Sequence, residues 1–73
     1  MPKLRILSGR DACQILSHHG FVEVRQRGSH VVTQKRVPGS TMTVPVPNHA
    51  EIKRGPLKST IRQSQLPASE FEG

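Results

Sequence analysis

Apolar residues near the N-terminus recur three or four positions apart, which is the spacing of one face of a helix. Ser8 stands just before them and Asp11 follows it by three positions. This is the pattern of a capping box, in which each side chain accepts a hydrogen bond from the other residue's backbone. Gly20 suits the end of such a helix because glycine tolerates a positive φ. The pattern predicts a first helix over residues 9–19.

The pattern then changes to short segments rich in valine and threonine, which favour strands. These segments are residues 21–26, 30–35 and 41–44. The turns between them, at residues 27–29 and 37–40, contain the glycine and proline that tight turns need. Pro45 lacks an N–H group and is expected to end the pairing of the third strand. Short turns between consecutive strands predict an antiparallel meander.

A second helix is predicted to begin at Gly55 as N-cap, with Pro56 in the first helical position, where its missing N–H costs nothing. It extends to about Gln65, and Phe71 is expected to fold back over the edge of the core. The order α-β-β-β-α defines an α+β fold, with residues 1–73 forming one domain. Because a small sheet must bury one face, both helices are expected on one face of a three-stranded antiparallel sheet.

The chain is strongly basic. Lys and Arg number eleven against five Asp and Glu, which gives a formal net charge of +6. Two of the acids lie in the last four residues, so residues 1–68 carry eleven positive and three negative charges, a net of +8. Such a field attracts polyanions. Nucleic acid is therefore the first partner to consider, and an acidic protein is the second.

Several other classes of function are disfavoured. No apolar stretch has the length of a transmembrane helix or the form of a signal peptide, so no membrane association is expected. The single Cys13 cannot form an internal disulfide, which fits the cytoplasm, and we interpret it as a small packing or surface residue rather than a reactive thiol. The histidines and carboxylates lack a recognised ligand spacing, so no metal or other cofactor is expected. Two phenylalanines are too few for an aromatic platform that stacks bases.

His30 is the strongest candidate for catalysis. It follows Gly28 and Ser29 at the end of a predicted turn. The cations that flank it on the same hairpin are Arg25, Arg27, Lys35 and Arg36. Cleavage of a phosphodiester without a metal needs a group of near-neutral pKa to take the 2′-hydroxyl proton, and cations to stabilise the charged transition state. A histidine after a turn is by itself more often a surface residue, and adjacent Val31 and Val32 leave open which sheet face carries it.

A second cationic group precedes the predicted last helix. Lys53 and Arg54 stand near a helix N-terminus, where the helix dipole disfavours positive charge. Free N–H groups and two cations together form a phosphate site, although ordinary surface charges remain the alternative. His49 lies in a proline-stiffened loop that leads to this helix.

The order and spacing of several short motifs resemble the HicA (YcfA-like) toxin family. The motifs are Ser8-Gly9, Gly20-Phe21, Arg25-Gln26-Arg27-Gly28-Ser29-His30, Thr43-Val44-Pro45, His49, Gly55-Pro56-Leu57-Lys58, Ile61-Arg62-Gln63 and Phe71. The resemblance extends from about Ile6 to Phe71. It implies a double-stranded-RNA-binding-like fold and a toxin that cleaves messenger RNA, arrests translation and is inhibited by a HicB antitoxin.

The resemblance also implies roles for individual residues. The family's catalytic histidine matches His30, its glycine and serine neighbours match Gly28 and Ser29, and His49 matches a second, supporting position. One departure is Pro56, which stands where the family commonly has threonine. Its missing hydroxyl and N–H weaken the expectation that residues 55–58, including the cation Lys58, contact RNA.

The hypothesis is therefore an endoribonuclease in which His30 takes the proton from a ribose 2′-hydroxyl. Arg25, Arg27 and either Lys53 or Arg54 would hold the phosphate, and no metal is required. Two alternatives remain open, a non-catalytic basic RNA-binding module and an adaptor for an acidic protein. The protein is expected to be a monomer alone and a hetero-oligomer with its antitoxin.

Overall fold

Two helices and three antiparallel strands follow one another in the predicted order α-β-β-β-α. The structure is a computed structural model, and it describes residues 6–71. The elements are α1 (Gly9–Ser17), β1 (Val22–Arg27), β2 (His30–Val37), β3 (Ser40–Pro47), α2 (Arg54–Ser64) and a final 3-10 helix (Ala68–Phe71). The α+β class predicted from the sequence is confirmed.

The first helix begins with the predicted capping box. The Ser8 hydroxyl accepts a hydrogen bond from the Asp11 N–H at 3.0 Å, and an Asp11 carboxylate oxygen accepts one from the Ser8 N–H at 3.1 Å. The helix ends at Ser17, two residues earlier than predicted. Gly20 has a φ of +93°, so it supplies the left-handed backbone that turns the chain into β1.

The sheet is a meander with strand order β1-β2-β3. Arg27 pairs with His30 across the first hairpin, and Val32 pairs with Pro45 across the second. The expectation that Pro45 ends β3 is wrong, because pairing continues to Pro47. β3 is an edge strand, where a proline nitrogen can face away from the neighbouring strand and no ladder hydrogen bond is lost.

One face of the sheet carries the core. Val31 of β2 and Val44 and Val46 of β3 are at most 9% exposed, and Thr33 donates a buried hydrogen bond to the Val44 carbonyl at 2.8 Å. The buried residues of both helices join the same hydrophobic cluster; they are Ala12, Cys13 and Leu16 of α1, and Leu57 and Ile61 of α2. Both helices therefore cover one face, as predicted. This surface is called the core face below.

The second helix begins two residues before the predicted start. Its N-cap is Lys53, because the Leu57 N–H donates to the Lys53 carbonyl at 2.9 Å, so the proposal of Gly55 as N-cap is wrong. Pro56 then occupies the third helical position, which also needs no N–H because the first-turn donors have no partner within a helix. The free donors of this turn are therefore the N–H groups of Arg54 and Gly55.

The end of the described chain returns to the core as predicted. Phe71 is fully buried. His19 Nε2 and Glu70 Oε1 lie 2.6 Å apart and connect the end of α1 to the final 3-10 helix. None of the helices within residues 6–71 is long and apolar enough to span a membrane.

Candidate active site

His30 lies on the sheet face that the helices leave uncovered. It is the first residue of β2 and follows the turn Gly28–Ser29, where Gly28 has a φ of +57°. Side chains alternate along a strand, so His30 shares its face with Val32 and points away from the buried Val31. Its side chain is exposed, and Arg27 stands directly opposite it on β1. The structure therefore assigns His30 to the open face, a question that the sequence left undecided.

An open groove of about 530 Å³ runs along this face, and it is called the sheet groove below. Its lining residues are Arg25, Arg27, His30, Val32, Gln34, Thr43 and Pro45. Arg27 and His30 lie at one end, Gln34 and Thr43 lie at the other, and the row of Arg25, Val32 and Pro45 lies between them. Among residues 6–71 no carboxylate lines the groove, so the field of these residues favours an anion next to the histidine.

His30 also lines a second, smaller depression, called the loop depression below. It has a volume of about 230 Å³ and lies between the end of β3 and the start of α2. Its lining residues are His30, Pro47, His49, Glu51, Ile52, Lys53 and Pro56. A third depression of about 150 Å³ joins His30 to Ser59 and Gln63 of α2. His30 thus stands where three concave surfaces meet, within reach of an extended polymer.

Backbone hydrogen bonds fix the loop that carries His49. The Asn48 N–H donates to the Ser29 carbonyl at 2.6 Å, and the Gly9 N–H donates to the His49 carbonyl at 2.8 Å. A Cβ at Gly9 would collide with the Pro47 carbonyl oxygen, so this close approach of α1 requires glycine. The His49 loop is therefore attached to the turn that immediately precedes His30.

The structure brings together most of the residues that the sequence proposed. Arg25, Arg27 and His30 meet in the sheet groove, and His49 and Lys53 meet His30 in the loop depression. Gly28 and Ser29 form the turn directly before His30. Arg54 and Lys58 are exposed on α2 but line neither depression.

Lys35 is not brought to this site. It is half-buried, its ammonium lies 5.7 Å from the centre of the Phe21 ring, and its stem packs over Gly20. It lies five positions after His30, and an odd number of positions along a strand places two side chains on opposite faces.

Two polar residues that line the sheet groove were not proposed as site residues from the sequence. Gln34 and Thr43 pair across β2 and β3, and the Gln34 amide nitrogen donates to the Thr43 hydroxyl at 3.5 Å. Gln34 lies four positions after His30, so the two-residue period of a strand would have placed it on the same face. Finding Thr43 needed the register of the second hairpin.

Cys13 is remote from this chemistry. Burial raises the pKa of its thiol to about 11, with a smaller contribution from the nearby Glu23 carboxylate. A thiol with such a pKa is neutral near pH 7 and a poor nucleophile, in agreement with a packing role. Within residues 6–71, no group of three or more His, Cys, Asp or Glu side chains has an arrangement that would hold a metal ion.

The fold and the site together define a small basic α+β protein with a solvent-facing histidine opposite an arginine. Residues 9–66 match the model of the HicA toxin family of bacterial toxin–antitoxin systems, and the chain belongs to this family. A search of curated proteins returned no match.

Proposed function

We propose that this protein is the toxin of a HicAB-type toxin–antitoxin system and that it arrests translation by cleaving messenger RNA in the cytoplasm. The observation that carries the endoribonuclease proposal is the exposed His30, which faces Arg27 across the first hairpin and lines three concave surfaces. A base, adjacent cations and an open groove are what RNA cleavage by 2′-hydroxyl attack requires.

The first half of the proposed reaction uses the sheet groove. Unprotonated His30 takes the proton of a ribose 2′-hydroxyl, and the freed oxygen forms a bond to the adjacent phosphorus. Arg25 and Arg27 stabilise the negative charge that builds up on the phosphate oxygens. Both line the groove that contains His30; Arg27 pairs with His30, and Arg25 stands in the next row, opposite Val32.

The second half uses the loop depression. The bond from phosphorus to the 5′-oxygen breaks, and the products are a 2′,3′-cyclic phosphate and a 5′-hydroxyl. We propose that protonated His49 supplies the proton for the leaving oxygen, since it lines the same depression as His30. Lys53 lines that depression too and would hold the phosphate from the other side. Arg54 and Lys58 would contact RNA farther along α2.

The proposed inhibitor is a HicB-type antitoxin with an acidic surface. Its carboxylates would complement Arg25 and Arg27, and its contact with the open face would cover His30. Charge complementarity of this kind accelerates association and excludes wrong partners. We propose that the toxin is a monomer alone and a hetero-oligomer with this antitoxin.

The decisive experiment compares the parent protein with His30→Ala on a long single-stranded RNA in the presence of EDTA. Loss of a general base lowers the rate by roughly 10²–10⁴-fold, while the fold should survive because His30 is exposed. His18→Ala is the matched control, since His18 is also exposed but lies at the end of α1. Circular dichroism of all three proteins checks that they are folded.

Each alternative function predicts a different result. Equal cleavage by the parent and His30→Ala contradicts the assignment of the base. Salt-sensitive binding without scission indicates a non-catalytic RNA-binding module. Negligible affinity for RNA at physiological salt indicates an adaptor for an acidic protein.

A further inference from the structure

The half of the sheet groove that lies beyond His30 has no role in the proposed cleavage chemistry. Its residues are Val32, Gln34, Thr43 and Pro45, and this part of the groove is called the base subsite below. We propose that the base subsite holds one unpaired base of the RNA and discriminates among bases through Gln34. The proposal rests on the proposed function, because it assumes that RNA occupies this groove.

Strand geometry sets the scale of the base subsite. A strand rises about 3.3 Å per residue, so along β2 Val32 lies about 7 Å from His30 and Gln34 about 13 Å. A nucleotide with its 2′-hydroxyl beside His30 would reach over Val32 and present the far edge of its base to Gln34. The groove volume of about 530 Å³ also falls within the range of roughly 300–1,000 Å³ that is usual for small-ligand sites.

The middle of the groove suits the faces of a base. Val32 is half-buried and pairs with Arg25 on one side and Pro45 on the other. This row offers apolar contacts together with a guanidinium plane, on which an unpaired base can stack. Aromatic stacking is not available here, because both phenylalanines of the chain, Phe21 and Phe71, are at most 2% exposed and belong to the core.

The far end of the groove suits the edge of a base. The Gln34 amide makes one long hydrogen bond, from Nε2 to the Thr43 hydroxyl at 3.5 Å. Within residues 6–71 its Oε1 has no hydrogen-bond partner. The amide therefore presents a donor and an acceptor side by side, which is the pairing that reads a base edge. In a duplex the Watson–Crick edges are occupied, so the base subsite selects single-stranded RNA.

The test measures binding without cleavage. Short 2′-fluoro RNA oligomers of A, C or U lack the attacking hydroxyl, and fluorescence anisotropy gives the Kd of each. For the parent we expect the Kd values of the tightest-binding and weakest-binding oligomers to differ roughly three- to tenfold, which is the contribution of one hydrogen bond. This ratio is called the spread below. Gln34→Leu should weaken binding of the tightest oligomer roughly three- to tenfold and so reduce this spread to within about twofold. Phosphate contacts supply the affinity that remains.

Two further variants complete the design. Gln14→Leu makes the same change on the exposed surface of α1 and should retain the parent's spread. Thr43→Val removes the hydroxyl that holds the amide and should narrow the spread. Three results would overturn the proposal. They are equal affinity of the parent for the three oligomers, a Gln34→Leu variant that retains the parent's spread of Kd values, or a Gln14→Leu variant that loses that spread as fully as Gln34→Leu does. A spread that only Gln34→Leu abolishes, in a protein that fails to cut natural RNA, supports the base subsite and contradicts the nuclease assignment alone.

Discussion

The two faces of the sheet are built from the same three strands and differ in nearly every property. On the core face, Val31, Val44 and Val46 pack under both helices and carry no charge. On the open face, Arg27 and His30 are exposed to solvent and stand opposite each other. Because side chains alternate along a strand, residues one position apart serve different purposes. Stability and chemistry can therefore be changed separately in this small protein.

The difference in charge between the two faces points to the use of the open one. Like charges gathered on one surface repel each other and contribute nothing to folding. Within the described part of the chain, no carboxylate lines the sheet groove to relieve that repulsion, and Glu51 lines the loop depression together with His30. Such an arrangement is favourable once a polyanion occupies the groove. The open face should therefore tolerate substitutions that abolish activity.

After His30→Ala, the largest effect that separates the two faces is expected from Arg27→Ala. Removing a group that stabilises transition-state charge costs on the order of 10²-fold in rate, and an exposed arginine on the open face contributes little to stability. The measurement is the initial rate of RNA cleavage beside the thermal melting temperature.

Arg36→Ala is the matched control for Arg27→Ala. Arg36 is exposed and shares the open face, but it stands six residues farther along β2 than His30. We expect it to lower the rate only a few-fold through the general field. Equal losses in the two variants would show that total charge, rather than contact at the reacting phosphate, sets the rate.

The next largest effect is expected from an identical change at two neighbouring positions. Val31→Ala removes two methyl groups from the core and should lower the free energy of unfolding by about 2 kcal/mol. Val32→Ala makes the same change on the open face, where the side chain is only half-buried, and should cost less than about 1 kcal/mol. Both variants lose the same strand propensity, so urea denaturation isolates burial. Similar losses would contradict the assignment of faces.

Local patterns were sufficient to predict the elements, but not all of their ends. The capping box of Ser8 and Asp11 depends on residues three positions apart, and the structure confirms it. α2 begins directly after Lys53 because the Leu57 N–H donates its hydrogen bond to the Lys53 carbonyl. The continuation of β3 through Pro45 depends on its position at the sheet edge. Sequence spacing alone predicts neither the start of α2 nor the continuation of β3.

The residues of the candidate site also divide into those that local sequence predicted and those that only the fold revealed. His30, Arg25 and Arg27 are close in sequence, so one hairpin was enough to associate them. Assigning His30 to the open face required the helices, because adjacent valines hid the alternation. Thr43 joins the groove only through the pairing of β2 with β3. Contacts between distant segments therefore account for what the sequence did not reveal.

The smallest effect is expected from Cys13, which is 6% exposed and belongs to the hydrophobic core. Its pKa is raised from 9.0 to about 11 by burial and by Glu23. Between these values the unfolded chain releases the thiol proton while the folded protein retains it, so the free energy of unfolding falls as pH rises above 9. The loss should be about 1 kcal/mol at pH 10.

Urea denaturation of the parent and of Cys13→Ala at pH 8, 9 and 10 measures this loss, since the contributions of other titrating groups cancel in the difference between the two proteins. If the free energies of unfolding of the two proteins changed in parallel with pH, the thiol would be open to solvent in the folded protein, which would contradict its burial.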